Sequence, residues 1–289
     1  MTAPVPSIPV RMRFLIPLAL LLLLSGCLFE SNDLYVRDTR FAAVAEFEHV
    51  VPAADRSLLL ITGINGSIDV VGVPGALDVV ISGERRVESE SLRDAEDHLS
   101  DLVVYVLEGP DRVEVETRQP GNTFGRNYIV DYYCIVPADW TVDVLNTNGN
   151  VTADSLLGVA IVAVTNGNVT FGDHIGDIEV EIENGNILVY QLIGNLFGTV
   201  TNGNILADVA IPEAGYCDLL VTNGMIDLAV PATTSAEFSA SVTNGAISLD
   251  GLTLSGLASS PYSVTGTLGD GSGTILLQTT NGTIVVTGY

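Results

Sequence analysis

The feature that most constrains this chain is an Asn-Gly pair that returns at fixed spacing. Four copies of Asn-Gly-Asn followed by Val or Ile stand 18 residues apart, and three looser copies follow at steps of 21, 21 and 37 residues. A fixed period of this length indicates repeats that pack on one another. The residues assigned to the repeat corners are Asn148, Gly149, Asn166, Gly167, Asn184, Gly185, Asn202, Gly203, Asn223, Gly224, Asn244, Gly245, Asn281 and Gly282.

Apolar residues occupy alternate positions on both sides of each corner. Ala160, Val162 and Val164 precede Asn166, for example, and the other copies repeat this column, as they repeat a Val or Ile three residues past each Asn. A period of two is typical of a strand with one buried face. Gly adopts a positive φ freely and Asn tolerates it, so each repeat predicts two short strands joined by a tight corner.

A further apolar column follows the second strand of each repeat. It consists of Leu157, Ile175, Ile193 and Ile211, each followed by Gly or Pro, which indicates a second turn.

Two short strands cannot bury an apolar face alone, so the repeats must stack. We therefore predict an all-β fold, a single-stranded parallel β-helix (β-solenoid) with coils of 18–21 residues. Stacked asparagines would form amide ladders between coils. The alternative is a meander or sandwich of antiparallel hairpins, for which Asn-Gly is also a strong signal.

The N-terminus reads as a processing segment. Residues 1–26 contain two arginines and then an 11-residue apolar run, which is too short to span a bilayer. The run ends in Leu24-Ser25-Gly26-Cys27, which resembles the lipobox of bacterial lipoproteins. That resemblance implies cleavage before Cys27 and lipidation of its thiol and amine, and two or more acyl chains anchor stably. An ordinary signal peptide is the alternative.

The rest of the chain divides into three parts. Residues 27–40 are predicted to be the lipidated cysteine and a tether, 41–146 N-terminal coils, and 147–289 the Asn-Gly solenoid. A short amphipathic helix is predicted near residues 91–102, where Leu92, Ala95, Leu99 and Leu102 fall at helical spacing.

Two predictions concern the end of the chain. The Gly/Ser-rich segment 251–273 is expected to lengthen one coil as a loop. The last repeat, residues 283–287, is expected to form the terminal, unpaired edge of the stack.

The order of these parts resembles a known family. It comprises a lipoprotein signal, a strand pair around Ile64-Asn65-Gly66, a helix, a Val136-Pro137 lead-in and Asn-Gly-x-Ile repeats that close at residues 271–284. This pattern is similar to the bacterial "putative adhesin" β-strand-repeat family of unknown function, akin to head-GIN domains. The resemblance covers about residues 41–289. It implies a β-solenoid on the cell envelope and supplies no catalytic residues.

Charge excludes one class of partner. The net charge is −24, there is no lysine, and residues 127–289 contain sixteen Asp or Glu and no Arg or Lys. Nucleic acids need Lys and Arg to neutralise phosphates, so this part does not bind them. The acidity indicates a need for solubility, and adaptation to high salt is a sharper hypothesis.

The cysteines and histidines form no recognisable site. Cys134 and Cys217 lie four coils apart, about 19 Å at 4.8 Å per coil, so we expect free buried thiols rather than a disulfide. His49, His98 and His174 have no metal-ligand spacing, and no catalytic motif appears. We predict no cofactor apart from a possible Ca²⁺ ion and no catalysis, with a carbohydrate-active enzyme kept as an alternative.

One outward face stands out as a candidate ligand surface. Glu179, Glu181 and Glu183 point outward from one strand, next to Phe197 one coil later. Carboxylates could bind Ca²⁺, or could bond a sugar that stacks on Phe197. The alternative is a solvated acidic face.

We therefore predict a non-catalytic envelope lipoprotein that acts as an adhesin-like binding or scaffolding protein. Leu28, which is not Asp, implies outer-membrane sorting by the lipoprotein resemblance. Expected partners are the membrane, through the lipid, and glycans or other envelope proteins. One alternative is a carbohydrate-binding or carbohydrate-active β-helix with paired carboxylates. Another is an envelope sensor that docks a partner strand on the 283–287 edge.

Overall fold

The computed structural model describes residues 41–289, so the predicted signal peptide, Cys27 and the tether lie outside the described residues. These residues form one helix, α1 (Leu92–His98), with a 3-10 turn at Leu99–Asp101, and contain no helix long and apolar enough to cross a membrane. The strands are β1 (Phe41–Pro52), β2 (Leu58–Asn65), β3 (Ile68–Val73), β4 (Asp78–Ser89), β5 (Val103–Glu108), β6 (Arg112–Arg118), β7 (Asn127–Pro137), β8 (Thr141–Asn148), β9 (Val151–Asp154), β10 (Ala160–Asn166), β11 (Val169–Gly172), β12 (Ile178–Asn184), β13 (Ile187–Ile193), β14 (Leu196–Asn202), β15 (Ile205–Ala210), β16 (Tyr216–Asn223), β17 (Ile226–Val230), β18 (Ala236–Asp250), β19 (Leu254–Ser260), β20 (Ser263–Leu268) and β21 (Gly273–Gly288).

The Asn-Gly units stack as layers. We call each unit a rung; the strand before its corner belongs to the first wall and the strand after it to the second wall. Val162 in the first wall pairs in parallel with Val144 and Val180 of the neighbouring rungs. Val169 in the second wall pairs in the same way with Val151 and Ile187. The 18-residue period is thus one step of two parallel ladders.

Buried apolar residues alternate with outward-facing residues along these strands, and the buried residues form a single core. Val164, Ile182 and Val200 are all buried and lie side by side on neighbouring strands. Second-wall residues such as Ile187 and Ile205 belong to the same apolar cluster. The stack therefore buries on its inside what no single rung could bury alone.

The all-β class and the short helix are confirmed, but a parallel solenoid over the whole of residues 41–289 is not. The 21-stranded sheet is mixed. Antiparallel pairs β1–β4, β4–β7 and β5–β6 precede the Asn-Gly stack, and β18–β20 and β19–β20 follow it. The segments outside the rungs lack the Asn-Gly corner, so they return by hairpins and longer connections.

The order of the last two rungs was wrongly predicted from chain order. β21 lies between the β16/β17 rung and β18, pairing in parallel with all three. Residues 283–287 are therefore paired on both sides and are not a terminal edge. The inward residues of β21, such as Ile284 and Val286, are fully buried. This strongly apolar strand gains more from an internal position than β18, whose second half carries Ala and Ser.

One local prediction was also wrong, and one apolar column has a direction that the sequence did not predict. The segment predicted as a loop at 251–273 contains the hairpin β19–β20, which extends the first wall beyond β18. The third apolar column faces outward: Leu157, Ile175 and Ile193 are 48%, 49% and 54% exposed. The residue immediately before each of them occupies the inward position instead.

Helix α1 is fixed at its first turn. Ser91 caps it by accepting a hydrogen bond from the Asp94 backbone N–H, and Ala95 is its buried residue. The Asp94 carboxylate also accepts two 2.7 Å bonds from Arg126 and one from Ser89. These bonds tie the helix to the start of β7 and lower the pKa of Asp94, through Arg126 first and Ser89 second.

Each corner brings backbone against backbone. At Gly185 φ is +151°, and a Cβ atom there would lie 1.8 Å from the carbonyl oxygen of Gly167 in the preceding rung. Only glycine permits this approach, because any side chain would overlap a backbone atom that cannot move independently. The glycines therefore determine how closely the rungs stack.

The corner asparagines form two amide ladders. In the first, each side-chain Nδ2 donates to the Oδ1 of the neighbouring rung at 2.8–3.1 Å, in the order Asn65, Asn148, Asn166, Asn184, Asn202, Asn223, Asn281 and Asn244. At the far end Asn65 donates to the backbone oxygen of Tyr128. A second ladder joins Asn150, Asn168, Asn186 and Asn204.

The prediction of free thiols is confirmed: Cys134 and Cys217 are both unpaired and fully buried. Burial raises the pKa of the Cys134 thiol to about 12, and the Cys217 thiol is shifted in the same direction. Both act as small apolar core residues.

Replacing a corner glycine should disrupt the stack. We expect Gly185→Ala to reduce the free energy of unfolding by at least about 3 kcal/mol, because it adds both a backbone clash and a strained φ. Gly75→Ala is the matched control, since φ is +72° there but nothing lies within 4 Å of the added carbon. It should cost about 1–2 kcal/mol. Urea unfolding followed by circular dichroism measures both, and equal losses would contradict this role of the corner.

Candidate ligand-binding face

The candidate face is the outer surface of the first wall. On β12 the exposed Glu179, Glu181 and Glu183 alternate with the buried Val180 and Ile182, so all three carboxylates lie on the outside. The period of two that buries the valine and isoleucine necessarily presents the glutamates to solvent.

Neighbouring strands complete this face. Phe197 of β14 pairs with Glu179, and Thr199 pairs with Glu181. Ala163 of β10 flanks Glu181 on the other side. A shallow groove of about 240 Å³ crosses these strands between Leu145 and Thr201. The structure thus brings together the three glutamates and the phenylalanine that the sequence singled out.

Two further carboxyl groups extend the row. Asp143 of β8 lies two strands from Glu179, with Ile161 between them, and Asp218 of β16 lies beside Phe197. Partial burial raises the pKa of Asp143, and the charge of Glu179 adds to the shift. Burial also raises the pKa of Asp218. These two aspartates were not singled out from the sequence, because their burial depends on the neighbouring strands.

No counter-ion neutralises this face. Residues 127–289 contain no Lys or Arg, and the ion pairs of the described chain lie between Arg56 and Asp131. Within residues 41–289 no group of three or more His, Cys, Asp or Glu side chains is placed to hold a metal ion. The carboxylates are therefore free to accept hydrogen bonds from a ligand.

His174 belongs to the core and lies away from this face. It occupies the inward position that Leu156 and Leu192 hold one rung to either side, and it is fully buried. Its ring packs edge-on against Phe171 at 5.8 Å. Neither ring nitrogen makes a hydrogen bond of ordinary geometry among the described residues. Burial lowers the pKa of His174 to about 4, and the nearby backbone of Gly158 offsets this only in part.

The outward aliphatic column forms a second surface feature. Ile175 and Ile193 meet in an isolated parallel bridge, so the exposed side chains of Leu157, Ile175 and Ile193 form a ridge along the stack. Beyond Leu157 lies an open cavity of about 680 Å³ lined by Leu77 and Trp140, among others. The sequence showed the column but not its direction.

Comparison by sequence is negative: the chain matches no protein-family profile and no curated protein.

Comparison with solved structures finds distant likenesses. One is a "putative cell adhesion protein" from Clostridium sporogenes, with 13% identity over 86% of this chain and 100% of that chain and a TM-score of 0.34. Another is a "putative adhesin" from Bacteroides fragilis, with 12% identity over 86% of this chain and 97% of that chain and a TM-score of 0.25. A third is a "putative lipid binding protein" from Parabacteroides distasonis, with 10% identity over 83% of this chain and 96% of that chain and a TM-score of 0.27. At TM-scores below 0.5 these likenesses carry no argument for this chain.

The buried histidine predicts a pH dependence of stability. The pKa of His174 is about 4 in the folded chain and about 6.5 in an unfolded one, so folding favours the neutral ring. This contribution is complete above pH 6.5 and is lost as the pH falls towards 4. We expect His174→Leu to remove up to about 3 kcal/mol of the pH dependence in that window.

Urea unfolding of both proteins at pH 7, 5.5 and 4.5 measures this difference. The same substitution at the exposed His49 is the control and should leave the profile unchanged. Parallel profiles for the wild type and His174→Leu would show that the histidine is not buried in its neutral form.

Proposed function

We propose that this chain is a non-catalytic protein of the cell envelope, anchored by lipid, that binds an extended polymer or another envelope component in the manner of an adhesin or scaffold. The observation that carries this proposal is the flat outer face of the first wall. There Glu179, Glu181 and Glu183 stand beside Phe197 without any neutralising cation.

The geometry of this face suits an extended ligand. The three glutamates recur at every second residue of β12, about 6.6 Å apart. Carboxylates accept hydrogen bonds from hydroxyl groups, and the half-buried Phe197 offers an apolar ring against which a sugar face packs. A polymer lying along β12 would meet these carboxylates in succession, while a compact ligand would find no enclosing cavity on this face.

The proposal includes a β-solenoid core formed by the Asn-Gly rungs. The parallel ladders of the Asn-Gly rungs support a β-solenoid core whose ends are closed by antiparallel strands. Such a core is rigid, because each rung is bonded to the next in both walls and through the amide ladders.

A second candidate is a carbohydrate-active enzyme. Asp143 and Glu179 lie on the same row, and the pKa of Asp143 is raised. A carboxyl group with a raised pKa near a second carboxylate is the pairing that glycoside hydrolysis uses. Release of reducing ends from a glycan panel, abolished by Asp143→Asn, would favour this candidate over the binding protein.

Binding to the candidate face can be tested with the full chain. We expect the combined variant Glu179→Gln, Glu181→Gln and Glu183→Gln, and separately Phe197→Ala, to weaken binding to a glycan array or to isolated envelope polymers at least tenfold. The change removes the acceptors or the ring and leaves the buried side of the wall intact. Glu213→Gln, at an exposed turn, is the charge control. Unchanged binding by the face variants would exclude this surface.

Lipid anchoring follows from the Leu24-Ser25-Gly26-Cys27 motif. We expect the wild-type chain, expressed in a bacterium that processes lipoproteins, to incorporate labelled palmitate and to sediment with the outer membrane. Cys27→Ser should lose both properties, because serine cannot form the thioether. Cys134→Ser should retain both, as a buried thiol is inaccessible to the lipid transferase. Palmitate in the Cys27→Ser protein would contradict the anchor.

A further inference from the structure

The two walls of the stack end differently beyond β18. In the first wall, residues 236–241 of β18 pair with β21 on one side and with β20 on the other, and β19 follows β20. In the second wall, residues 246–250 of β18 pair with β21, and no described strand pairs with their other side. We call residues 246–250 the open edge.

The inner rungs show which backbone groups face outward at the open edge. The N–H groups of Val151, Val169 and Ile187 each donate to the carbonyl oxygen of an asparagine two residues past the corner of the next rung, at 2.9 Å. The equivalent group of β18 is the N–H of Ile247, by the register Ile247–Ile284. No described rung follows there to accept this hydrogen bond, so the group is available to a partner.

The core is also incompletely covered at this edge. Ile284 and Val286 of β21 are fully buried, whereas Ile247 and Leu249, their partners on β18, are only partly buried. An additional strand with apolar residues at these positions would bury them as β18 buries those of β21.

The asparagine ladder ends at the same place. Asn244 donates to Asn281, but no rung follows to donate to the Oδ1 of Asn244, as happens at every other position of the ladder. The opposite end is capped, since Asn65 donates to the backbone of Tyr128. The stack is therefore closed at its N-terminal end and extendable at β18.

The geometry points to the open edge as a docking site for an extended strand of another polypeptide, which adds in parallel and carries the pattern Asn-Gly-x-Ile-x-Val. Its asparagine would continue the ladder from Asn244, and its two apolar residues would cover Ile247 and Leu249. A basic residue in the C-terminal flank of the partner would complement Asp250, because residues 127–289 have no Lys or Arg.

A second copy of this chain is a less suitable occupant. Within residues 41–289, every other strand that flanks an Asn-Gly corner is already paired on both sides, as Ile61 in β2 and Ile284 in β21 illustrate. A second copy that offered its own β18 would lie in antiparallel orientation, and the β19–β20 hairpins of the two copies would compete for the same layer. The unpaired side of β19 is less suited to docking a strand, because a register shift between Ser255 and Ala258 interrupts the pairing of β19 with β20.

The test uses the full chain and a labelled synthetic peptide with the sequence of residues 280–288, flanked by one lysine on each side. Fluorescence anisotropy should show saturable binding. In the parallel register the N–H at the Val285 position of the peptide donates to the carbonyl of Ile247, and the N–H at the Val286 position points away. N-methylation at the Val285 position should therefore weaken binding at least tenfold, and N-methylation at the Val286 position should have little effect.

A matched pair of protein variants locates the binding site. Asn244→Ala should weaken binding several-fold because it removes the ladder acceptor, whereas Asn65→Ala at the capped end should not. Exchange of the flanking lysines for glutamates should also weaken binding. Absence of saturable binding, equal effects of the two methylations, or equal effects of the two asparagine variants would overturn the proposal. So would a concentration-dependent dimer, seen by sedimentation of the chain alone, that both Asn244→Ala and the peptide dissociate, because a second copy would then occupy the open edge.

Discussion

The structure depends on a repeated contact, in which the glycine at each corner lies against the carbonyl oxygen of the corner glycine in the preceding rung. At Gly167, Gly185 and Gly203 the space for a Cβ atom is occupied by backbone of the preceding rung. This contact sets the distance between rungs, and the distance in turn allows both walls to form regular parallel ladders. The amide ladders of asparagine lie at the same corners, so steric fit and hydrogen bonding act on the same few residues.

The inward and outward positions of the rungs could be predicted from the sequence, because they depend on a short-range pattern that each rung repeats. The period of 18 residues and the alternation around it predict which residues lie inside, since each rung repeats the same short-range pattern. The three glutamates and Phe197 could be placed on one face for that reason. The short helix was recognisable because its apolar residues change from a period of two to helical spacing.

Other features depend on which distant segments contact each other, and the local sequence pattern does not determine those contacts. The insertion of β21 between β17 and β18 is decided by the relative burial of distant strands. The outward direction of Leu157, Ile175 and Ile193 depends on a turn that reverses the alternation by one residue, so that Leu156 and His174 enter the core. The ion pair between Asp94 and Arg126 joins residues 32 apart with no periodic relation. Antiparallel closure at both ends was missed because those strands have no Asn-Gly corner.

The position of β21 has a consequence for biosynthesis. A chain that leaves the ribosome from its N-terminus exposes β18 before β21, and at that stage β16 and β17 present the surface that β21 later occupies. The register of β18 is compatible with that surface, because the Asn-Gly corners of both strands align with the same ladder. The native order of layers is therefore reached only when the sixteen residues of β21 have been inserted between these neighbours. A chain lacking β21 would stack the β18 layer directly on the layer of β16 and β17.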